Sequence, residues 1–219
     1  MHKTKLALAA VALLAVLPWL QGCFPAVATG AAVGVMAVHD RRSTGTQTDD
    51  EMLEWKVRGV LPERYREQSN VSVTVYNRRL LLTGEAPSAE ARAATEAAAR
   101  TVDGLREVYN ELAVGPVSKL GSRSNDSYIT SKVKARLVDS DQLSANHVKV
   151  VTERGVAHLL GIVNEREGRA AVAVARTTSG VLKVVSLLEI IDEAETRRID
   201  DQLLGSRNAS PASAADDKR

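Results

Sequence analysis

The feature that most constrains the fold of this chain is an internal repeat. The hexapeptide ARTVDG at residues 99–104 returns 76 residues later as ARTTSG at residues 175–180. Apolar residues keep the same order at an offset of 76 or 77, in the pairs Leu61 and Leu137, Val73 and Val150, Leu82 and Leu159, and Val108 and Val184. The chain therefore contains two copies of one module, predicted at residues 49–115 and 126–191.

Each copy has the same predicted order of elements, α-β-β-α-β. Ile129, Val133 and Leu137 recur every four residues and predict an opening helix with one apolar face. The alternation in NVSVTVY, with RLLLTG after it, predicts a hairpin, and an alanine-rich helix and a third strand follow. The helical crossover places the third strand parallel to a neighbour. We therefore expect an α+β protein of two tandem modules, each a three-stranded mixed sheet with two helices on one face.

The first 22 residues have the features of a secretory signal peptide. Lys3 and Lys5 precede an uninterrupted apolar run of twelve residues from Leu6 to Leu17. A transmembrane helix needs about 20 apolar residues to cross the bilayer, so this run is too short to act as one. We therefore predict that residues 1–22 are a signal peptide that is removed.

The only cysteine of the chain, Cys23, follows this segment directly. The stretch Leu20-Gln21-Gly22-Cys23 resembles the lipobox of bacterial lipoproteins, which implies cleavage before Cys23 and acylation of its thiol and new amine. Several acyl chains anchor a protein far more firmly than one. By resemblance to the sorting of Gram-negative lipoproteins, Phe24 in place of an aspartate favours transfer to the outer membrane.

Three further segments lie outside the two copies. Residues 23–48 are predicted to be the acylated N-terminus and an extended tether, and residues 116–125 are predicted to be a linker. Residues 192–219 are predicted to be a largely disordered C-terminal tail, with a short helix before Leu204.

Together these blocks resemble one family. The lipobox, LLTGEAPSAEARAATEAAARTVDGLREVYNEL and SNDSYITSKVKARL are similar to dual-BON-domain outer-membrane lipoproteins of Gram-negative bacteria, the DolP type. The resemblance implies an α-β-β-α-β fold in each module, binding of phospholipid, and support of envelope integrity. It implies no enzymatic activity and no cofactor apart from the covalent lipid on Cys23.

The residues themselves support little catalytic chemistry. His147 and His158 fall on predicted strands, and no spacing typical of a metal site is found, so we predict neither a catalytic nor a metal site. The carboxylates at residues 49–51 are predicted to complement a helix dipole. Gly84 and Gly161 fall at predicted strand ends, where a tight backbone accounts for them.

Charge distinguishes the two copies. Residues 45–115 hold 9 Lys and Arg against 12 Asp and Glu, a net charge of −3, whereas residues 116–191 hold 11 against 7, a net charge of +4. A basic surface gains about 1 kcal/mol for each Lys or Arg held near anionic lipid. We therefore expect the second copy to contact anionic phospholipid in the periplasmic leaflet of the outer membrane. An exported protein meets no nucleic acid.

The contact is predicted on the first helix of the second copy. Its outward residues combine an aromatic ring, cations and small apolar side chains, and the predicted lipid-binding set is Tyr128, Lys132, Lys134, Ala135, Arg136 and Val138. The first copy has Met52, Lys56 and Gly59 at equivalent places and lacks the aromatic residue. The resemblance points to the same helix.

Two alternatives remain open. Tyr128 can instead cap its own module or pack against the other copy, in which case the helix has a structural role. The whole protein can likewise act as an envelope scaffold or adaptor, which binds a protein or peptidoglycan and does not recognise lipid. Envelope proteins are therefore further candidate partners.

Overall fold

The computed structural model describes residues 40–208, and their side chains over residues 40–203. Its five helices are α1 Thr44–Val60, α2 Ala89–Ala99, α3 Leu120–Val138, α4 Glu165–Arg176 and α5 Glu193–Asn208. Its seven strands are β1 Asn70–Tyr76, β2 Arg79–Ala86, β3 Glu107–Asn110, β4 Ala113–Val114, β5 Val148–Glu153, β6 Val156–Val163 and β7 Lys183–Ile190. Short 3-10 helices precede β1 and β5.

The sheets confirm the predicted topology. In the first module β2 is central, antiparallel to β1 and parallel to β3, and in the second module β6 holds the same place between β5 and β7. One feature differs from the predicted topology, because the third strand of the first module is interrupted at Glu111 and Leu112. Its remainder, β4, pairs with the end of β2.

Each module has its own core between helices and sheet. In the first, Leu53 and Val57 of α1 pack with apolar residues of β1 and β2. In the second, the predicted stripe Ile129, Val133 and Leu137 of α3 is fully buried against β5 and β6. Full burial of such a side chain stabilises the fold by about 1.5–3 kcal/mol, so these stripes hold the helices on the sheets.

Two glycines occupy matching places inside the central strands. A Cβ on Gly84 would lie 1.8 Å from the carbonyl oxygen of Asn70, and one on Gly161 would lie 2.2 Å from that of His147. Gly84 also has a φ of +106°, which L-residues rarely adopt. The close backbone was predicted correctly, but both glycines lie within β2 and β6 and not at their ends.

A third apolar cluster lies between the two sheets. Tyr76 and Leu81 of the first module pack with Leu160, Ile162 and Leu187 of the second. Side chains alternate along a strand, so the residues of this cluster point away from the helices that cover the other face of each sheet. The modules therefore pack sheet against sheet, with α1 and α2 on one outer side and α3 and α4 on the other.

Two consecutive arginines before α1 bind to different modules. The Arg41 guanidinium, whose side chain is only 2% exposed, lies 2.6 Å from Glu167 at the start of α4 and 2.8 Å from Asp200 of α5. Arg42 lies 2.7 Å from Asp50 of α1 and stacks 3.9 Å from the centre of the Tyr76 ring. We call this pair the arginine clamp.

The arginine clamp corrects the predicted tether. Residues 40–48 belong to the folded part, because Arg41 is buried, Arg42 is partly buried, both form ion pairs, and α1 already begins at Thr44, capped by Ser43. Residues 23–39 lie outside the described residues.

Two other predicted boundaries also differ. Residues 120–125 of the predicted linker are helical, because α3 begins at Leu120. The short helix predicted before Leu204 is present but longer, because α5 has 16 residues and contacts Arg41 through Asp200, so the tail is helical as far as Asn208.

Candidate functional site

The outward face of α3 carries the predicted aromatic and cationic residues. Tyr128 is 63% exposed, and the ammonium of Lys132 lies 4.8 Å from the centre of its ring. This distance is typical of a cation–π contact. Lys132 also donates a hydrogen bond to the backbone carbonyl of Ser179, in the loop after α4. The ammonium therefore links the tyrosine ring to the loop between α4 and β7.

Arg136 extends this link by one turn of α3. Its guanidinium donates to the carbonyl oxygen of Val174 at 3.1 Å and to the hydroxyl of Thr178 at 2.9 Å, at the C-terminal end of α4. A cation is favourable at a helix C-terminus, where backbone carbonyls lack partners. Arg136 therefore holds α4 against α3, and its charge is partly used within the fold.

The predicted lipid-binding set thus divides into two groups. Tyr128, Lys132 and Arg136 form a row along one side of α3, joined by the contacts above. Lys134 and Ala135 are exposed, and Val138 at the end of the helix is 67% exposed, but no contact joins them to that row. The structure leaves all six residues accessible except Lys132, which is half-buried.

Two exposed leucines, which the sequence analysis missed, lie at the same end of the second module. Leu182 is 82% exposed and Leu120 is 77% exposed. Leu182 and the first residues of α3 border a groove of about 850 Å³ that also includes the turn at Arg154 and Gly155. A comparison of the two copies could have identified Leu182. The first copy has the charged residue Arg106 at the equivalent position, so the leucine is an apolar replacement at a position that is expected to face solvent.

A buried carboxylate fixes this end of the module. Asp126 of α3 accepts hydrogen bonds from the backbone amides of Arg154 and Gly155, both at 2.9 Å. Both turn residues have positive φ, as two-residue hairpins of this kind require. The turn, the start of α3 and the groove between them therefore form a preorganised surface.

The first module uses Asp50 in the same way. Its carboxylate accepts hydrogen bonds from the amides of Asn77 and Arg78, at 2.7 and 2.8 Å. This corrects the predicted role of the carboxylates at residues 49–51. Because α1 begins at Thr44, they lie beyond its first turn, and Asp50 holds the hairpin turn and does not complement the helix dipole.

The first module also exposes an aromatic residue that the prediction overlooked. Trp55 of α1 is 74% exposed, and Met52, one turn before it, is 54% exposed. The equivalent place of Tyr128 is indeed Met52, but the indole lies only three residues further along. Both modules therefore expose an aromatic side chain. What distinguishes their surfaces is the net charge of each module and the residues around the aromatic ring.

Titratable groups in the folded part serve its internal contacts. Burial raises the pKa of Glu167, but hydrogen bonds with His147 and Arg41 outweigh it and lower the pKa to about 2. Burial lowers the pKa of His158, which lies between the sheets, 3.9 Å from Glu111. Within residues 40–203, His, Cys, Asp and Glu side chains form no group able to hold a metal ion.

Helix length and hydropathy bear on membrane contact. Among the helices of residues 40–208, none combines the length and the apolar content that a bilayer crossing requires. Cys23 lies outside the described residues, so its lipidation stays a prediction.

Comparisons with known proteins agree with the repeat. The sequence matches the BON domain twice, over residues 49–116 and 125–192. It is 38% identical to the outer membrane lipoprotein DolP of Haemophilus influenzae over 176 residues, which are 80% of this chain and 91% of that protein.

Two further relatives share part of the chain. The 21 kDa hemolysin of Actinobacillus pleuropneumoniae is 36% identical over 69% of this chain and 79% of its own length. The osmotically-inducible protein Y of Escherichia coli is 38% identical over 36% of this chain and 40% of its own length. With two matched modules and a relative similar over most of its length, the chain belongs to the BON-domain family as a dual-BON protein of the DolP type.

Proposed function

We propose that this protein is an outer-membrane lipoprotein, anchored through acyl chains on Cys23, whose second module binds anionic phospholipid and which thereby supports envelope integrity. The lipobox at Cys23 and the similarity to a protein named outer membrane lipoprotein support the anchor and the location. The family points to a non-enzymatic envelope protein, and the proposed role requires no catalysis.

The observation that carries the proposal is the exposed tyrosine and its lysine. Tyr128 presents an apolar ring and a polar hydroxyl, which suits the level of lipid headgroups. Lys132 lies beside the ring and can exchange its hydrogen bond with Ser179 for one with a lipid phosphate. The exposed Leu182 adds an apolar side chain that can enter the acyl region. Aromatic, cationic and aliphatic groups thus share one end of the module.

Charge supports the same end of the molecule. Lys119 and Arg154 line the groove that Leu182 borders, and the second module carries a net charge of +4. Because each such cation gains about 1 kcal/mol near an anionic surface, this module is attracted to anionic lipid. The first module, with a net charge of −3, is repelled.

The test uses the whole protein and not isolated modules. The modules share an apolar cluster between their sheets and are joined by the arginine clamp, so a fragment would expose surface that is normally buried. The full chain with Cys23→Ala, which removes the lipid anchor, is mixed with vesicles of phosphatidylglycerol and phosphatidylcholine, and the bound fraction is measured by sedimentation.

We expect Tyr128→Ala and Lys132→Glu each to reduce binding to the anionic vesicles. The matched control is Trp55→Ala, which removes an exposed aromatic side chain from the other module and should leave binding unchanged. Added salt should weaken the binding of the parent protein, because it screens charge. If both α3 variants bind as well as the parent, the proposed site is wrong.

An envelope scaffold is a second candidate function, favoured by one observation. Trp55 and Met52 form an exposed apolar pair on the acidic module, away from the proposed lipid site. Tryptophan and methionine are enriched where proteins bind each other. If Trp55→Ala causes the envelope defect of a deletion strain while Tyr128→Ala does not, the scaffold function is favoured over lipid binding.

A further inference from the structure

The edge strands β3 and β7, which hold equivalent places in the two sheets, differ in how far their free sides are covered. In the first module β3 has four residues, and α2 covers its edge, because Arg92 donates to the carbonyl oxygen of Asn110 at 2.7 Å and Arg100 to that of Val108 at 3.4 Å. The strand is then interrupted before β4. A short, covered and broken strand is a common protection against pairing with another chain.

The equivalent edge of the second module has no such protection. β7 runs unbroken for eight residues and pairs with β6 on one side, and no strand within residues 40–208 pairs with its other side. No proline interrupts it. An unprotected edge of this length presents a row of backbone donors and acceptors to a further strand.

A groove between α4 and β7 follows this edge. Its floor is formed by small and aliphatic side chains, namely Gly168, Val172, Ala173, Ser186, Leu188 and Ile190, and the charged residues Glu165, Arg169 and Arg176 of α4 also line it. Ile190 is 53% exposed, although it belongs to a strand. A strand added to β7 would therefore place every second side chain against an apolar surface that is already present.

The sequence of β7 indicates which strand fits. We propose that β7 pairs antiparallel with β7 of a second copy of this chain, about a two-fold axis at Ser186. In this register Val184 faces Leu188 of the other copy, and Val185 faces Leu187. Lys183 faces Glu189, whose carboxylate also accepts a hydrogen bond from Asn77 and lies 3.6 Å from Arg106 of its own chain. Opposite charges and aliphatic residues in facing positions each stabilise an antiparallel pair. A surface that is complementary to itself is what a two-fold dimer requires.

The charges of α4 have the same symmetry. Glu165, which forms an exposed ion pair with Arg169 of its own helix, lines the groove at the end near Ile190, and Arg176 lines it at the end near Lys183. The two-fold axis brings the Ile190 end of one copy to the Lys183 end of the other. Glu165 of each copy therefore lies beside Arg176 of its partner, and two further pairs of opposite charge form across the axis.

The first module lacks this complementarity. At the positions equivalent to Lys183 and Glu189 it has Glu107 and Ala113, and at the position equivalent to Glu165 it has Ala89. Only the second module combines a free edge with a self-complementary charge pattern. The dimer surface is separate from the tyrosine and lysine of the proposed lipid site, because neither Tyr128 nor Lys132 lines the groove, and only Leu182 lies beside both surfaces.

The main test places a thiol on the proposed axis. Cys23 is the only cysteine, so the full chain with Cys23→Ala and Ser186→Cys has a single thiol. The axis brings the two copies of position 186 within disulfide range. We expect mild oxidation to yield a disulfide-linked species of twice the monomer mass on a non-reducing gel.

The matched control is Lys183→Cys in the same background. Position 183 is exposed on the same strand, but the proposed register separates its two copies by about 20 Å. This variant should give no disulfide-linked dimer. Equal cross-linking of both variants would show random collision and would overturn the proposal.

A second measurement needs no new thiol. Sedimentation velocity should show a dimer of the Cys23→Ala chain. Arg176→Glu should weaken this dimer, because it places two carboxylates side by side. Adding Glu165→Arg to that variant should restore the dimer, because the exchanged charges again form pairs of opposite sign between the copies. A monomeric mass together with no Ser186→Cys dimer would overturn the proposal. In cells, a disulfide from Ser186→Cys to a different protein, with no dimer, would assign the edge to a foreign strand and would also overturn it.

Discussion

The two modules have the same fold but different inner surfaces. Towards its own helices each sheet is apolar, whereas towards the other sheet the first module presents Thr83 and Glu85 where the second has Leu160 and Ile162. Glu85 is fully buried, accepts hydrogen bonds from Ser118 and Asn70, and lies 3.6 Å from Arg154 of the second module. The repeat therefore preserved what each module needs to fold, while the contact between the modules became specific to unlike partners.

The outer surfaces diverged as well. The first module is acidic, covers its sheet edge with Arg92 and Arg100, and exposes Trp55. The second is basic, leaves the β7 edge free, and exposes Tyr128 beside Lys132. Duplicated modules can thus divide functions without any change of topology, because binding depends on surface residues that folding leaves unconstrained.

The largest effect is expected from the two matched glycines. Gly84→Ala adds a Cβ that collides with the carbonyl of Asn70 and also forces an L-residue to a φ of +106°, so we expect a loss of about 4 kcal/mol in the free energy of unfolding. Gly161→Ala produces only the collision, and we expect about 2 kcal/mol. Urea unfolding of both variants measures the difference, and an equal loss would show that backbone strain contributes nothing.

Replacing either arginine of the clamp should lower the free energy of unfolding in urea, but by different amounts. Arg41→Ala removes a buried cation that both Glu167 and Asp200 pair with, and leaves the Glu167 carboxylate buried without a compensating charge, which costs about 3–5 kcal/mol. Arg42→Ala should cost about 1–2 kcal/mol, because Asp50 keeps the amides of Asn77 and Arg78. Equal losses would mean that Arg41 is not buried as described.

Acid should weaken the ion pair between Arg41 and Glu167 of the second module. The pKa of Glu167 is lowered from 4.5 to about 2 in the folded state, so its contribution is complete above pH 4.5 and is lost as the pH falls towards 2. The full contribution is about 3 kcal/mol. Unfolding of the protein and of Glu167→Gln is compared across this range. The gap between them should shrink in acid, and a constant gap would contradict the lowered pKa.

The smallest effect on stability is expected from the exposed aromatic residue of each module. Tyr128→Ala and Trp55→Ala remove exposed rings that are not part of any core cluster, so each should change the free energy of unfolding by no more than about 0.5 kcal/mol. Thermal unfolding measures this. A large loss for Tyr128→Ala would assign the ring a packing role, and reduced vesicle binding could then no longer be attributed to lipid contact.

The core of each module was predictable because it follows local periodicity. The stripe of Ile129, Val133 and Leu137 and the alternation in β1 are written into short segments, and burial of one face follows from them directly. The capping box of Asn164 with Glu167 was equally visible, since both residues lie within one turn. The accessible row on α3 was predicted in part, because helical spacing places Tyr128 and Lys132 on the same side.

Partners far apart in the sequence were not predictable. Local spacing accounts only for the cap that Glu167 forms with Asn164, yet Glu167 also binds Arg41, 126 residues earlier. The arginine clamp therefore looked like part of a tether. Nothing local distinguishes Asp50, which holds a turn 27 residues away, from its neighbours Asp49 and Glu51.

The sequence by itself thus determined the two modules, their order of elements, their separate cores and their opposite charges, because each of these depends on residue type and spacing within about 65 residues. The tertiary structure alone decided that the sheets face each other, that Arg41 joins the second module to α5, and that one sheet edge is covered while the other is free. The physical reason is that burial and pairing between distant segments depend on how the helices and strands pack in the folded protein. The residues of one segment do not determine which other segment will pack against it.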